Sequence, residues 1–324
     1  MSIVQADLYG PVVTDLRHVG EIFDAALASE DPRVQNLVAN ITRRHGKMLR
    51  PALVLLVGRA LDRLSDDHFV LGAVIEMIHV ASLVHDDVLD EAPSRRNTPS
   101  ANRLIGNEGA VLLGDYIMSQ AFRLCCSMRS HEVNDELTDT CRMICLGELL
   151  QVSHRHNLDL GEAEYLNIIT KKTAWLMRTC GVLGATLSGA DPGTVASLGR
   201  YGLNLGMAFQ ITDDLLDLYG SAEEMGKTLG RDLAKGDLTL PLIRFLGTVG
   251  GSVRREMVAA IGDGRAVRLE RIRDLLRDHD VMADCRRLAR SYADRAVSCL
   301  EDLPCSDARD ALANLADFVS SRCR

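Results

Sequence analysis

An all-α single domain spanning residues 1–324 is the fold class that the sequence predicts, on three observations. Apolar residues recur three and four apart over long stretches, Leu, Ala, Met, Glu and Arg fill those stretches, and alternating β-branched runs are missing. With 26 Gly and 8 Pro in 324 residues and 47% hydrophobic composition, the chain is neither fibrous nor disordered.

Helical spacing runs in order over 51–64, 67–90, 109–128, 134–154, 163–187 and 192–218. Gly46, Pro93, Gly106, Asp191-Pro192, Gly220, Gly226, Gly230 and Gly236 punctuate these stretches. No fixed-length repeat or low-complexity linker divides them, which predicts one bundle of about ten or more helices. The second stretch has small polar capping residues at Ser65–Asp67 and stops at Ala92-Pro93. The sixth starts at Asp191, with Pro192 in its first turn, and stops at Gly220.

Charge and sorting signals narrow the function. Lys and Arg number 37 against 45 Asp and Glu, a net −8, which argues against nucleic acid or an anionic membrane as partner. Residues 1–10 lack a basic start followed by an apolar core, and the most apolar stretch, 70–84, is interrupted by Glu76 and His79. A cytoplasmic protein without stable membrane insertion is expected. Cys125, Cys126, Cys141, Cys145, Cys180, Cys285, Cys299, Cys305 and Cys323 include no C-x-x-C pair, so packed, reduced thiols are expected.

Two stretches are unusual in the same way. Each is apolar for most of its length and then ends in D-D-x-x-D: Asp86, Asp87 and Asp90 in one, Asp213, Asp214 and Asp217 in the other. A helix C-terminus carries partial negative charge, so each acid there costs about 0.3–1 kcal/mol, and like charges one turn apart add repulsion. One such end is ordinary solvated charge; two are hard to attribute to chance, and a bound cation removes the penalty. The i, i+4 spacing turns Asp86 with Asp90, and Asp213 with Asp217, to one face each. Hard oxygen donors with room for water suit Mg2+ bridging to a diphosphate, whose departure it would assist.

Bases accompany the acids: Lys47 and Arg50 before the first long helix, Arg95 and Arg96 after the first acid cluster, Lys171-Lys172-Thr173, and Lys227 after the second cluster. In an acidic protein they suggest two phosphate sites beside a metal site. His85-Asp86 and Glu76-x-x-His79 resemble parts of other metal sites, but each lacks its remaining ligands. Asp66-Asp67 reads as a helix cap, and His154 and His156 as solvated residues flanking a turn.

These motifs resemble the trans-isoprenyl diphosphate synthases, or polyprenyl synthetases. The likeness runs from Gly46 through Pro241 in GKMLRP, HVASLVHDDVLDEAPSRRNTPSAN, LLGDYIMSQAF, GELLQ, KKTAWL, FQITDDLLDL and GKTLGRDLAKGDLTLPLI. It implies an isoprenoid-synthase-like helical bundle around a central cavity, and a homodimer. It also implies that the six aspartates bind Mg2+ and the allylic diphosphate. Lys47, Arg50, His79 and Arg96 would hold isopentenyl diphosphate; Arg95, Lys172 and Lys227 would contact the allylic diphosphate, with Thr173 and Gln210 near the reacting carbons. The family reaction ionises the allylic substrate, the alkene of isopentenyl diphosphate attacks the cation, and a proton leaves with the pyrophosphate, so no protein nucleophile is needed. The chain departs from the family at His45, where Gly is usual, and at Asp237, where Lys is usual and Lys235 is the nearest base to replace it.

Ala81 and Ser82 lie about a turn below the first acid cluster. Both are small, so they would let a growing apolar tail pass. That predicts a medium- or long-chain polyprenyl diphosphate, with a geranylgeranyl or farnesyl product as the alternative and Tyr116, Ile117, Met118 or Phe122 as other residues able to close the passage. Two further readings are a terpene cyclase, whose second metal motif usually differs, and a non-catalytic subunit of a heteromeric synthase, which can lose acids that this chain keeps.

Overall fold

Helical periodicity is realised almost throughout the computed structural model, which describes residues 8–42, 46–92, 94–95, 98–220, 229–262 and 269–322, without the side chains of 40–42, 95 and 98. After a 3-10 turn at Gly10–Val12 come α1 (Val13–Leu27), α2 (Pro32–Thr42), α3 (Leu49–Ala60), α4 (Asp66–Leu89), α5 (Ala101–Ser127), α6 (His131–Ser153), α7 (Glu162–Ile169), α8 (Trp175–Leu187) and α9 (Pro192–Tyr219). Then follow α10 (Arg231–Ala234), α11 (Leu240–Thr248), α12 (Gly251–Ile261), α13 (Leu269–Asp278), α14 (Val281–Ser298) and α15 (Asp307–Ser321). A two-residue antiparallel hairpin, β1 (Ser94–Arg95) with β2 (Thr98–Pro99), is the one strand pairing among the described residues.

Three boundaries differ from the sequence reading. Gly106 does not precede a helix but kinks one: α5 begins at Ala101, and Gly106 takes φ 75° inside it, a value that glycine tolerates without a Cβ clash. The stretch 163–187 is not continuous either, because a π-turn at Thr170–Ala174 separates α7 from α8. At α4 the N-cap is Ser65, paired through its N–H and Oγ with His68 Nδ1 at 3.1 and 2.9 Å. Asp66 and Asp67 therefore fall in the first turn instead of capping. At α9 the cap is as expected, with Asp191 Oδ1 accepting from the Gly193 and Thr194 N–H groups at 2.9 and 3.2 Å.

Contacts divide the chain into two compact units. One comprises Met1–Cys141, Leu176–Gly202 and Val297–Leu315; the other Arg142–Trp175, Leu203–Ala296 and Ala316–Arg324. Every passage between them falls within α6, α8, α9, α14 or α15. No linker composition marks the division, which is why a reading of 1–324 as one domain meets no boundary in the sequence.

The first unit is built on α4, which packs chiefly against α5 and also against α1 and α3. Leu71, Ala73, Val74, Ile75 and Met77 are fully buried. Contrary to the expectation for 70–84, α4 is long and apolar enough to cross a membrane, the one such helix among the described residues. Its most apolar window is 61% buried, as a core helix requires. In the second unit Leu160, Tyr165, Ile169, Met207, Ile211, Leu215 and Phe245 belong to one buried cluster. The described cysteines are free thiols, with Cys323 outside the described residues. Burial pushes the Cys180 and Cys285 thiols up to about 12.

Candidate active site

The first acid trio closes α4. Asp86 and Asp87 stand in its last turn and Asp90 is the C-cap, its N–H donating to the Asp86 carbonyl at 2.8 Å. Asp87 is buried, whereas Asp86 and Asp90 are half-buried, so the i, i+4 pair keeps access to solvent. One turn back, Ala81 is fully buried and Ser82 half-buried, its Oγ donating to the His79 carbonyl at 2.8 Å. Of the two positions proposed to border a passage, only Ser82 retains accessible surface.

The bases of this unit lie at the start of α3 and along α4. Lys47 is exposed, while Arg50 and His79 are half-buried. Met48 between the two bases is the N-cap of α3 in the left-handed region, φ 50° and ψ 32°, a conformation that costs a non-glycine residue about 1–2 kcal/mol. His85 is structural: Nε2 lies 3.2 Å from the Val111 carbonyl, and the ring fills the place of a side chain at Gly114, where a Cβ would meet it at 2.2 Å. Arg96 and Lys227 lie outside the described residues, as does the side chain of Arg95.

The second unit gathers the other trio with Lys172, Thr173 and Gln210. Thr173 Oγ1 donates to Gln210 Oε1 at 2.8 Å, and Gln210 Nε2 donates to Asp214 Oδ1 at 2.7 Å. Asp214 Oδ2 accepts from the Tyr165 hydroxyl at 2.6 Å. Both oxygens of Asp214 are thus engaged, and the carboxylate is buried. Burial, with Asp232 and Asp213 nearby, holds its carboxyl well above the ordinary range despite those bonds. Asp217 is buried too, its Oδ2 accepting from the Asp232 N–H at 3.4 Å. Asp213 is half-buried and accepts from Arg322 Nη1 at 2.9 Å.

Close approaches fix the π-turn that carries Lys172 and Thr173. A Cβ on Gly147 of α6 would stand 2.5 Å from the Lys172 nitrogen, and one on Gly206 of α9 would stand 2.5 Å from the Ala174 Cα. The neighbouring Glu148 takes the Lys172 ammonium in an ion pair. A single π-turn is a frequent mark of a functional position, since it redirects side chains within a helix.

Asp237 is not exposed as a phosphate contact would be. It is buried and accepts from Gln151 Nε2 at 2.8 Å, with Arg155 Nε 3.6 Å from its other oxygen. Burial raises its carboxyl above the ordinary range, against Gln151, Arg155 and Lys172. His156 is exposed, as expected, and braces the Gly236 turn by donating from its N–H to the Gly236 carbonyl at 2.7 Å.

The donors suit a hard divalent cation and not a closed cage. Both trios offer only carboxylate oxygen, and among the described residues no three His, Cys, Asp or Glu converge tightly enough to hold an ion alone. Mg2+ is ordinarily held by one or two carboxylates, water and substrate phosphate; the solvent-accessible carboxylates are Asp86 and Asp90 in the first unit and Asp213 in the second. Sequence reasoning missed Tyr165, Gln151, Arg155, Asp232 and Arg322. Gln151 and Asp232 left a signal, as the last residue of GELLQ and as a residue of GKTLGRDLAKGDLTLPLI.

Comparison with known proteins adds an independent line. A family model described as polyprenyl synthetase matches residues 31–277. Octaprenyl diphosphate synthase of Escherichia coli (strain K12) is 34% identical over 312 residues, 96% of each chain. The crystal structure of a decaprenyl diphosphate synthase from Rhodobacter capsulatus superposes with TM-score 0.92 at 34% identity, covering 99% of both chains. A polyprenyl synthase from Caulobacter crescentus CB15, complexed with calcium and isoprenyl diphosphate, gives TM-score 0.93 at 34% identity over 100% of this chain and 98% of its own.

Proposed function

The chain belongs to the polyprenyl synthetase family, and from that premise we infer a prenyltransferase that condenses isopentenyl diphosphate with an allylic diphosphate to a trans-polyprenyl diphosphate of medium or long chain. The observation that carries this reading is the retention of both D-D-x-x-D helix ends with Lys172, Thr173 and Gln210 gathered on the second.

In this reading Asp86, Asp90 and Asp213 hold divalent cations, with Mg2+ the expected ion. Ions held there would supply positive charge to the departing diphosphate. Lys172 leaves Glu148 to meet the allylic diphosphate, and the dipoles of Thr173 and Gln210 face the allylic carbons. Asp214 and Asp217, being buried, orient this set. As the allylic C–O bond breaks, its electron pair leaves with the diphosphate. The alkene of isopentenyl diphosphate, held by Lys47, Arg50 and His79, donates its π electrons to the cation. The pyrophosphate then takes the proton that restores the double bond.

The test is an assay with radiolabelled isopentenyl diphosphate, Mg2+ and several allylic starters, read by chromatography of the products. Chain elongation is expected. Hydrocarbon release from an allylic diphosphate alone would instead mark a terpene cyclase, and no turnover would mark a non-catalytic subunit. A soluble homodimer is the expected state, supported by Leu104, Val111, Leu112 and Phe122 exposed on α5; sedimentation at a monomer's mass would remove it.

A further inference from the structure

Arg322 follows the last turn of α15, and its guanidinium meets two groups one turn apart on α9. Nη1 donates to Asp213 Oδ1 at 2.9 Å, and the guanidinium carbon lies 5.7 Å from the centre of the Phe209 ring. The paired side chains are 18% and 31% exposed, so water screens the contact only in part. Asp213 is also the accessible acid of its trio: Asp214 and Asp217 are 3% and 2% exposed, and both Asp214 oxygens are occupied. A cation arriving from solvent reaches Asp213 first and finds a fixed positive charge on it. Arginine cannot vacate that place by losing a proton; it has to move.

We propose that Arg322 is a further residue of this site, a positioning residue that holds Asp213 while no divalent cation is bound and yields it when one binds, so that it sets the metal affinity of the second acid trio. The inference rests on the reading that this trio takes a divalent cation. Stacking on Phe209 keeps the guanidinium at hand after release, and the carboxylate is never left partly buried without a counter-charge.

The experiment is a Mn2+ titration of the metal-free, full-length enzyme, followed by electron paramagnetic resonance, for the native protein, Arg322→Gln, Arg322→Lys and Asp213→Asn. Arg322→Gln should bind the ion of the second trio about 3–10-fold more tightly, the competition of one part-buried ion pair. Arg322→Lys should stay near the native affinity, and Asp213→Asn should lose this ion. In parallel, metal-free Arg322→Gln should melt below the native enzyme, and Mn2+ should close the gap. Equal or weaker binding by folded Arg322→Gln overturns the inference while leaving the prenyltransferase reading intact. If Asp213→Asn retains every ion that the native protein binds, the trio is not a metal site, and the underlying reading falls with the inference.

Discussion

The two acid-ended helices share one sequence pattern and differ in nearly everything around it. At the end of α4, Asp86 and Asp90 stay accessible and only Asp87 is buried. At the end of α9 the balance reverses: Asp214 and Asp217 are buried, Asp213 alone is accessible, and Arg322 sits on it. Equal spacing therefore does not make equal sites. The α4 trio keeps two carboxylates of one face open to solvent, whereas the α9 trio buries two of its acids, Asp214 bonded to Tyr165 and Gln210 and Asp217 to the Asp232 N–H.

The comparison breaks most readily at the accessible acids. Asp86→Asn and Asp213→Asn should each lower kcat by about 10²–10³-fold, the usual loss when one group stabilising a developing charge is removed. The melting temperature of Asp86→Asn should barely move, whereas metal-free Asp213→Asn loses its pair with Arg322 and should melt somewhat below the native enzyme. Steady-state assays with circular dichroism controls would show it, and full activity in either variant would mean that only one trio serves the reaction.

Behind the α4 trio, Ala81 and Ser82 should separate. Ser82 keeps accessible surface, so Ser82→Phe should shorten the product, as chromatography of the chains would show. Ala81 is fully buried, so Ala81→Phe, the substitution suggested by small size alone, should cost about 1–3 kcal/mol by overpacking in denaturant melts. Unchanged products from both variants would remove this passage from the reading.

The framed acid of α9 offers a smaller, more local test. Tyr165→Phe deletes a bond to a buried carboxylate and should cost about 1–3 kcal/mol of stability. A denaturation midpoint equal to that of the native enzyme would show that the frame around Asp214 is dispensable.

The smallest effect belongs to Asp237. Its folded-state carboxyl is raised by burial, so the ionised form costs stability above the ordinary carboxylate range, and the cost vanishes once acid protonates both folded and unfolded chains. Asp237→Asn should thus be slightly more stable than the native enzyme at neutral pH and lose the advantage as pH falls through that range. An advantage that grows on acidification would show the sign to be wrong.

Much of the site was legible because it is local. The helix periods, the Asp191 cap, the acids one turn apart and the K-K-T turn depend on residues within a few positions of one another. The π-turn was not, since its cause is the approach of Gly147 and Gly206 from distant helices. Asp237 could be flagged as unusual for the family, but its partners Gln151 and Arg155 lie more than 80 residues away.

By itself, then, the sequence determined a helical protein with two carboxylate trios at helix ends, because spacing of three and four residues sets which side chains share a face. Only the tertiary structure decided which acids water can reach. Tyr165 and Arg322 meet their aspartates across 49 and 109 residues, and burial, which sets the charge and access of each carboxylate, is a property of what packs against it and not of its neighbours in the chain.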